Sequence, residues 1–210
     1  MRFIKCFNTI QGEGLNMGRS ATFVRFWGCN EKCPYCDEPE HKQKKLCNIL
    51  TPEQVVEECV KFSDDTDMFV ITGGEPTIQQ LLPRFIKELK RARPRHTIAV
   101  ETNGYNLGLA KNADFITLSP KNLTDFCKPS NSKYWYRVRE VKIPAFDDLS
   151  YPLLQKVLGA IGLINATIWL TCINHQNSID NKHLIEALAY IQKHPRVRLN
   201  IQAHKVWGLQ

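Results

Sequence analysis

Three cysteines with the spacing C-x3-C-x2-C are the residues of this chain best suited to chemistry. Cys29, Cys33 and Cys36 follow residues 21–27, a run rich in β-branched and aromatic side chains that predicts a buried strand. A loop that leaves a strand end can direct three thiolates toward one point, and soft sulfur ligands suit an iron–sulfur cluster. A four-iron cluster held by three cysteines keeps one iron open for a substrate or cofactor.

A structural zinc site is the alternative interpretation of the same motif. Cys33 and Cys36 also have the spacing of a zinc-binding pair, and His41 or Cys47 would supply a further ligand. Structural zinc sites usually combine two such pairs, and no second C-x2-C occurs in this sequence. The motif therefore favours the cluster over zinc.

Strand patterns recur along the chain, and polar motifs follow several of them. The predicted strands span residues 21–27, 68–72, 96–101, 114–118, 138–143, 166–172 and 197–201. Helical patterns alternate with them, chiefly over residues 51–60, 81–89, 151–163 and 179–194. This alternation predicts a parallel α/β sheet with ligands at the carboxyl ends of its strands. About six such units are too few for a complete eight-stranded barrel, so we expect a partial (β/α)6-type open barrel with some helices reduced.

Length and composition favour one globular domain over residues 1–210. Of the 210 residues, 43% are hydrophobic, which supports a sizeable core. No apolar run approaches the roughly 18 to 20 residues that span a bilayer, and the first residues lack a signal-peptide pattern. We expect a cytoplasmic protein without a membrane partner. In a reducing compartment the eight cysteines favour metal binding over disulfides, and Cys59 and Cys172 are predicted to be buried as small apolar side chains.

The net charge of +7 raises the question of an acidic partner. The cationic runs are short, at residues 41–45 and 87–95, and no nucleic-acid-binding signature accompanies them. A solvated surface is the default interpretation of such runs, followed by an anionic substrate or an acidic electron donor. Direct binding of nucleic acid is not expected.

The cysteine motif, with Tyr35 directly before its last cysteine, resembles the signature of the radical S-adenosylmethionine (SAM) superfamily. More specifically, several segments in order resemble the 7-carboxy-7-deazaguanine synthase family. They are residues 7–14, 23–25, 28–30, 33–37, 73–76, 101–104, 119–121 and 202–205.

The resemblance implies a set of ligands for each cofactor. Cys29, Cys33 and Cys36 would hold a 4Fe–4S cluster, and the methionine part of SAM would chelate its open iron. The residues that would bind SAM follow the cluster motif and the next strands: Tyr35, Gly73, Gly74, Glu75, Glu101, Thr102, Ser119 and Lys121. Without the resemblance, residues 73–76 would most often be a plain strand-to-helix turn, and Lys121 a surface lysine.

The resemblance also implies a substrate site and a metal ion. Residues that would contact a pterin are Gln11, Glu13, Gly14, Arg25 and His204, with the Arg25 charge suited to a carboxylate. The family normally has threonine, a Mg²⁺ ligand, where this chain has Glu38. Glu38 is a hard oxygen ligand that could hold Mg²⁺ directly, but without metal its charge would repel an anionic substrate. Of the properties that the resemblance implies, Mg²⁺ binding is thus the one that this sequence supports least.

The implied reaction converts 6-carboxy-5,6,7,8-tetrahydropterin to 7-carboxy-7-deazaguanine with loss of ammonia, a step toward queuosine and other 7-deazapurines. No residue is assigned as a conventional acid or base. The alternatives are another radical SAM enzyme, such as a glycyl-radical activase, and a non-catalytic metal-binding module. A flavodoxin-type donor is expected because a basic surface would steer an acidic partner, and a homodimer is implied by the family alone.

Overall fold

The computed structural model describes residues 1–145, 150–160, 165–172, 174–175, 178–179 and 181–209. The strands are β1 Arg2–Ile10, β2 Ser20–Phe26, β3 Asn48–Ile49, β4 Met68–Gly73, β5 Thr97–Thr102, β6 Phe115–Leu118, β7 Val138–Ala145, β8 Thr167–Cys172, β9 Asn174–His175, β10 Ser178–Ile179 and β11 Val197–Ile201. The helices are α1 Pro52–Val60, α2 Leu82–Ala92, α3 Leu107–Ala110, α4 Leu123–Phe126, α5 Pro129–Ser132, α6 Ser150–Ala160, α7 Asn181–Lys193 and α8 Ala203–Val206.

One nine-stranded sheet, in the order β11-β8-β7-β6-β5-β4-β2-β1-β3, organises the described residues. The strands from β2 to β11 in this order pair in parallel, whereas β1 pairs antiparallel with β2 and β3. Its two outer strands, β11 and β3, do not pair with each other, so the sheet is open. The predicted open parallel sheet is confirmed. Helices α3, α4 and α5 are four residues each, which matches the expected reduction.

Local sequence signals explain where α1 and α2 begin. The Thr51 side chain accepts a hydrogen bond from the Gln54 backbone N–H at 3.3 Å, and the Gln54 side chain accepts one from the Thr51 N–H at 2.9 Å. This reciprocal capping box, with Pro52 at the first helical position, is the start predicted from the sequence. The α2 face of Leu82, Phe85, Ile86 and Leu89 is fully buried, as its periodicity predicts. Leu81, which the same stripe predicted to be in the core, is 45% exposed because it precedes the first turn of the helix.

Aromatic and aliphatic side chains on the helix-covered face form the main core. Phe26 packs edge-on against Phe85, with ring centroids 5.6 Å apart. Cys59 and Cys172 are completely buried in this core, which confirms the prediction for both. The Cys6 thiol, whose role the sequence left open, lies 3.4 Å from the Cys59 thiol.

Three helices differ from their predicted bounds, and the first, α2, was predicted over residues 81–89 but spans Leu82–Ala92. Helix α7 begins at Asn181 rather than at residue 179, because Ile179 pairs in the short hairpin of β9 and β10. Helix α6 ends at Ala160, and the remaining predicted positions, 161–163, lie outside the described residues. No helix in the described ranges is both long enough and apolar enough to cross a membrane.

Candidate active site

The loop after β2 carries the three cysteines and faces the carboxyl ends of β4, β5 and β6. Cys29, Cys33 and Cys36 line one cavity of about 220 Å³, named here the cluster cavity. Backbone hydrogen bonds fix the start of the loop, since the Gly28 N–H donates to the His41 carbonyl at 3.2 Å. The structure therefore brings the three predicted cluster ligands to one side of a single cavity.

Side-chain amides tie the cysteine loop to the sheet. The Asn103 amide, just after β5, donates to the Asn30 side-chain oxygen at 2.9 Å. The Asn122 amide, after β6, donates to the Glu31 carboxylate at 3.0 Å. These two bonds hold the segment between Cys29 and Cys33 over the strand ends.

Gly73 and Gly74 allow the end of β4 to approach that loop. A Cβ at Gly73, whose φ is +146°, would lie 2.2 Å from the Phe26 carbonyl oxygen, and one at Gly74 would lie 2.2 Å from the Gly28 oxygen. Only glycine permits this contact at both positions. In this structure the two glycines allow the backbone of β2 and the following loop to approach β4 closely. The sequence interpretation had attributed the need for glycine at these positions to a bound ligand.

Glu75 is the buried carboxylate at the centre of the cluster cavity. Its oxygens accept hydrogen bonds from the Thr77 N–H at 2.8 Å, the Thr102 hydroxyl at 2.6 Å and the Asn103 N–H at 2.6 Å. All of these donors are neutral. Burial raises the pKa of Glu75 although the hydrogen bonds oppose the shift. Because no cation of the described residues pairs with Glu75, the site suits a cationic ligand such as an ammonium.

All eight residues predicted to bind SAM line the cluster cavity: Tyr35, Gly73, Gly74, Glu75, Glu101, Thr102, Ser119 and Lys121. The Lys121 ammonium lies 5.8 Å from the Tyr35 ring centroid and supplies a positive charge at the end of β6. The cavity lining thus includes both a carboxylate without a cation partner among the described residues and the Lys121 cation. This combination fits the ammonium and carboxylate of an amino acid such as the methionine part of SAM.

The cysteines fit a cluster better than a single metal ion. Burial raises the pKa of the Cys29 thiol, and the Glu75 charge adds to the shift; burial also raises the pKa of Cys33 against the Lys121 cation. Three thiolates there need positive metal to balance them. Within the described ranges no three His, Cys, Asp or Glu side chains are arranged around a single ion. A four-iron cluster would distribute the three cysteines over three irons.

A second cavity, of about 480 Å³, adjoins the cluster cavity. Gln11, Glu13, Arg25 and His204, four of the five predicted substrate residues, line it. Both cavities share a wall that consists of Glu13, Asp37, Glu38, Thr72, Gly73, Glu101 and Lys142. A molecule in one cavity is therefore next to a molecule in the other.

Lys142 on β7 is the centre of this shared wall. Its ammonium donates to the Glu13 carboxylate at 2.9 Å and to the Glu101 carboxylate at 2.8 Å, and the residue is 5% exposed. Burial alone would lower the pKa of Lys142, but the charges of Glu101, Glu13 and Glu140 raise it above its ordinary value. Burial would raise the pKa of Glu13, yet Lys142 holds it below the ordinary value. The wall is therefore ionised, in contrast to the neutral surroundings of Glu75.

Sequence reasoning missed Lys142. A usable signal was present, because Glu140 and Lys142 are two residues apart in a predicted buried strand and so point to the same face. Glu140 is buried and accepts hydrogen bonds from the Leu15 N–H at 2.7 Å, the Thr117 hydroxyl at 2.8 Å and the Trp169 indole at 2.8 Å. It anchors the loop that carries Gln11 and Glu13.

Gly14 lies outside the linings of both cavities. Its φ is +68°, its N–H donates to the Asn200 side chain at 3.0 Å, and a Cβ there would lie 2.4 Å from the Glu140 carboxylate. The structure thus gives Gly14 a role in packing the loop, beside the contact with substrate that the resemblance implies.

Arg25 and Glu38 form an ion pair that neither residue's predicted role anticipated. Both side chains are largely buried, at 14% and 19% exposed, and the Arg25 guanidinium lies 5.4 Å from the Phe7 ring centroid. Asp37 is likewise engaged, by the Lys205 ammonium at 3.1 Å and the Gln202 amide at 2.8 Å. A Mg²⁺ ion at Glu38 would have to displace Arg25, so the residues present do not fit the metal.

The C-terminal segment closes the second cavity. The Gln202 side-chain amide donates to Glu13 at 3.2 Å as well as to Asp37. It thereby links the loop of residues 11–14 to the cysteine loop. His204 packs against Gly12, since a Cβ at Gly12 would lie 2.6 Å from the His204 Nδ1. The imidazole lines the second cavity, as expected from the sequence.

Comparison with known proteins agrees with this site. A family profile described as the Radical SAM superfamily matches residues 25–143, more than half of the chain. A crystal structure of QueE from Escherichia coli superposes with a TM-score of 0.76 over 97% of this chain and 94% of that chain, at 23% identity. The fold and the cysteine loop are thus those of a radical SAM enzyme.

Curated relatives narrow the assignment. A 7-carboxy-7-deazaguanine synthase from Aquifex aeolicus is 31% identical over 97% of this chain and 92% of its own length. One from Haemophilus influenzae is 29% identical over 99% of this chain and 93% of its own length. The chain belongs to the radical SAM superfamily and, within it, to the 7-carboxy-7-deazaguanine synthase family.

Proposed function

We propose that the protein converts 6-carboxy-5,6,7,8-tetrahydropterin to 7-carboxy-7-deazaguanine with loss of ammonia, as a carbon–nitrogen lyase. The observation that carries this proposal is the shared wall between the two cavities. The cavity proposed for SAM contains a carboxylate without a cation partner among the described residues, and it adjoins a second cavity lined by a guanidinium, an imidazole and the Gln11 amide. Family membership supplies the reaction, and the wall explains how two molecules can meet.

Cys29, Cys33 and Cys36 would hold the 4Fe–4S cluster, with Glu75 and Lys121 on the two charged ends of the methionine part of SAM. When bound and reduced, the cluster would supply the one electron needed for reductive cleavage of SAM, the source of the hydrogen-abstracting radical. The chain's own contribution is position, because correct orientation of two reactants lowers the barrier greatly. No residue acts as a conventional acid or base in this scheme.

Substrate binding would use the ionised wall and Arg25. Glu13, whose oxygens already accept hydrogen bonds from Lys142 and Gln202, would also accept them from the N–H groups of a pterin. Arg25 would contact the substrate carboxylate while it stays paired with Glu38. We derive no step through Mg²⁺.

An anaerobic assay tests the proposal. Cluster-loaded protein receives SAM, a chemical reductant and the carboxytetrahydropterin, and mass spectrometry follows 7-carboxy-7-deazaguanine. Accumulation of the deazaguanine supports the synthase. If 5′-deoxyadenosine forms without deazaguanine, the protein is another radical SAM enzyme, such as a glycyl-radical activase.

Four further proposals concern the whole protein. The chain acts as one radical SAM domain over residues 1–210, in the cytoplasm, as a homodimer, with a flavodoxin-type electron donor. The net charge of +7 supports the acidic donor. Sedimentation of the loaded protein tests the dimer, and a cluster reduction rate that falls with ionic strength would support the donor.

A further inference from the structure

An aromatic pair lies on the β1 and β2 side of the second cavity. Phe7 on β1 and Phe23 on β2 are cross-strand partners, and their rings stack with centroids 5.6 Å apart. Both side chains line the second cavity. Phe7 is also the first residue of the segment 7–14, whose polar members Gln11 and Glu13 are predicted substrate ligands. The pair is therefore part of the surface that the substrate would meet.

Phe7 differs from Phe23 in its contacts with cations. The Arg25 guanidinium carbon lies 5.4 Å from the Phe7 ring centroid, and the Lys5 ammonium lies 5.3 Å from it. Lys5 and Arg25 are themselves cross-strand partners, so two cations on neighbouring strands meet at one ring. Among the described residues no cation lies over the Phe23 ring. A ring face attracts a cation most strongly where water is excluded, so the two neighbouring rings have different electrostatic roles.

The Arg25 guanidinium keeps hydrogen-bond donors for a ligand. Its contact with a carboxylate among the described residues is the pair between Nη1 and Glu38. The Nε atom is buried and has no hydrogen-bond partner there. Since a guanidinium carries several N–H donors, one carboxylate does not satisfy it. The face of the Phe7 ring compensates part of the remaining charge without accepting a conventional hydrogen bond.

The lysines of the same lining already have carboxylate partners. Lys5 pairs with Glu40, Lys205 with Asp37, and Lys142 with Glu13 and Glu101. Arg25 is where this lining, within the described residues, has a buried donor without a partner. Recognition of a ligand carboxylate therefore depends on where the Arg25 guanidinium is held.

We propose that Phe7 is a positioning residue that holds the Arg25 guanidinium in the orientation that binds the substrate carboxylate. The inference rests on the proposed function and assigns its carboxylate recognition to an arginine–aromatic unit. Glu38 fixes the Nη1 end of the guanidinium, and the Phe7 ring restrains its plane. Arginine against an aromatic ring keeps its planar fork of N–H groups available to a carboxylate. Because a guanidinium that is restrained before the ligand arrives loses less freedom on binding, the affinity is higher.

The test compares two substitutions within the stacked pair. Phe7→Leu removes the ring that contacts Arg25, and Phe23→Leu, the matched control, removes the neighbouring ring, which no described cation contacts. Phe7→Tyr keeps a ring face and serves as the conservative variant. Iron and sulfide analysis and urea denaturation first establish that all variants are loaded and folded like the wild type.

Binding is then measured without turnover. Anaerobic titration calorimetry of the cluster-loaded protein with SAM, but without reductant or divalent cations, gives the dissociation constants of two ligands. One ligand is 6-carboxy-5,6,7,8-tetrahydropterin, and the other is tetrahydropterin without the carboxylate. The ratio of the two constants reports carboxylate recognition, because a general change in the shape of the cavity weakens the binding of both ligands.

The wild type should prefer the carboxylated ligand by at least about tenfold, which is the value of hydrogen bonds to a charged group. Phe7→Leu should lower this preference by about five- to tenfold, as expected from the loss of a cation–π contact in a largely buried place. Phe7→Tyr and Phe23→Leu should keep the preference within about twofold of the wild type, because the ring face against Arg25 remains in both.

Three results would overturn the proposal: an unchanged preference in Phe7→Leu, an equal loss in both leucine variants, or a wild type without any preference. Loss of the preference in Phe7→Tyr would also contradict it, since the ring face is retained. None of these constants depends on deazaguanine formation, so failure of the synthase assignment would be seen separately as absent product in the anaerobic assay.

Discussion

Two glutamates near the strand ends, Glu75 buried and Glu13 partly exposed, have very different surroundings in the two halves of the site. Glu75, on the cluster side, is surrounded by neutral hydrogen-bond donors, and its pKa is raised by burial. Glu13, on the side of the second cavity, is bonded to the Lys142 ammonium, and its pKa is lowered in spite of burial. The Glu75 carboxylate has no cation partner among the described residues and can pair with a cationic ligand, whereas the Glu13 carboxylate is already paired with the Lys142 ammonium.

This difference assigns a ligand-binding role to Glu75 and a structural role to the ion pairs of Lys142. A ligand ammonium at Glu75 would add a charge partner that the protein lacks, so the ligand should gain affinity there. Lys142 instead binds Glu13 and Glu101 before any ligand arrives, and this preorganises the wall between the cavities. The predictions below test each half.

The largest effect is expected from loss of a cluster ligand. Cys33→Ala should leave the protein nearly free of iron and sulfide and without detectable deazaguanine, because two thiolates do not retain the cluster. Metal analysis and the product assay measure this. Cys127→Ala, which removes an exposed thiol outside the motif, serves as the control and should keep both cluster and activity.

Removal of Lys142 should disrupt the ion pairs that hold Glu13 and Glu101 in the wall between the two cavities. Lys142→Met leaves the largely buried carboxylates of Glu13 and Glu101, 14% and 22% exposed, without their cation, which should cost about 3 kcal/mol of unfolding free energy and most of the turnover. Urea denaturation measures the stability. Lys205→Met removes a cation from the more exposed Asp37, 45% exposed, and should cost no more than about 1 kcal/mol. Equal losses in the two variants would show that the Lys142 contacts are not special.

Neutralising Glu75 and Glu13 one at a time should affect SAM binding and substrate binding differently. Glu75→Gln should weaken SAM binding by about 10- to 100-fold, the value of hydrogen bonds to a charged group, and leave the substrate KM nearly unchanged. Glu13→Gln should do the reverse. Equilibrium dialysis with labelled SAM and steady-state kinetics provide the two readouts, and parallel losses in both would remove the distinction between the two sides.

The pH dependence should differ with the direction of each shift. The folded pKa of Glu75 is raised, so its ionised form, and with it SAM affinity, should decline as the pH falls toward that value, which lies above the ordinary 4.5. The folded pKa of Glu13 is lowered, so its contribution to stability is present above 4.5 and is lost only as the pH falls through the depressed value. SAM affinity should therefore decline at a higher pH than the stability difference between wild type and Glu13→Gln.

The smallest effect concerns Mg²⁺. In the wild type Glu38 is bound to Arg25, so added Mg²⁺ should change turnover little. Glu38→Thr frees Arg25 and restores the threonine of the family, and turnover of this variant should rise a few-fold with Mg²⁺. Strong stimulation of the wild type instead would mean that Glu38 leaves Arg25 for the metal.

Local sequence patterns predicted the elements that depend on neighbours in the chain. The capping box at Thr51, the buried stripe of α2 and the strands β4 and β5 are of this kind, and the open parallel sheet follows from the alternation of strands and helices. The cysteine spacing identified the cluster loop for the same reason.

Contacts between distant segments could not be predicted in this way. Lys142 meets Glu13, 129 residues away, only after seven strands are ordered in the sheet. The pairing of Arg25 with Glu38 depends on how the cysteine loop folds back over β2. Side-chain types suggested charge at both places, but the choice of partner is a property of the tertiary fold.

The most direct test of the account is whether the molecules in the two cavities exchange hydrogen. The loaded, reduced protein would be given SAM and carboxytetrahydropterin carrying deuterium at C6, and the SAM and 5′-deoxyadenosine recovered after turnover would be analysed by mass spectrometry. The account predicts deuterium at the 5′ carbon, because the shared wall sets the two molecules side by side. Deoxyadenosine that forms without deuterium while the pterin retains its label would contradict the account.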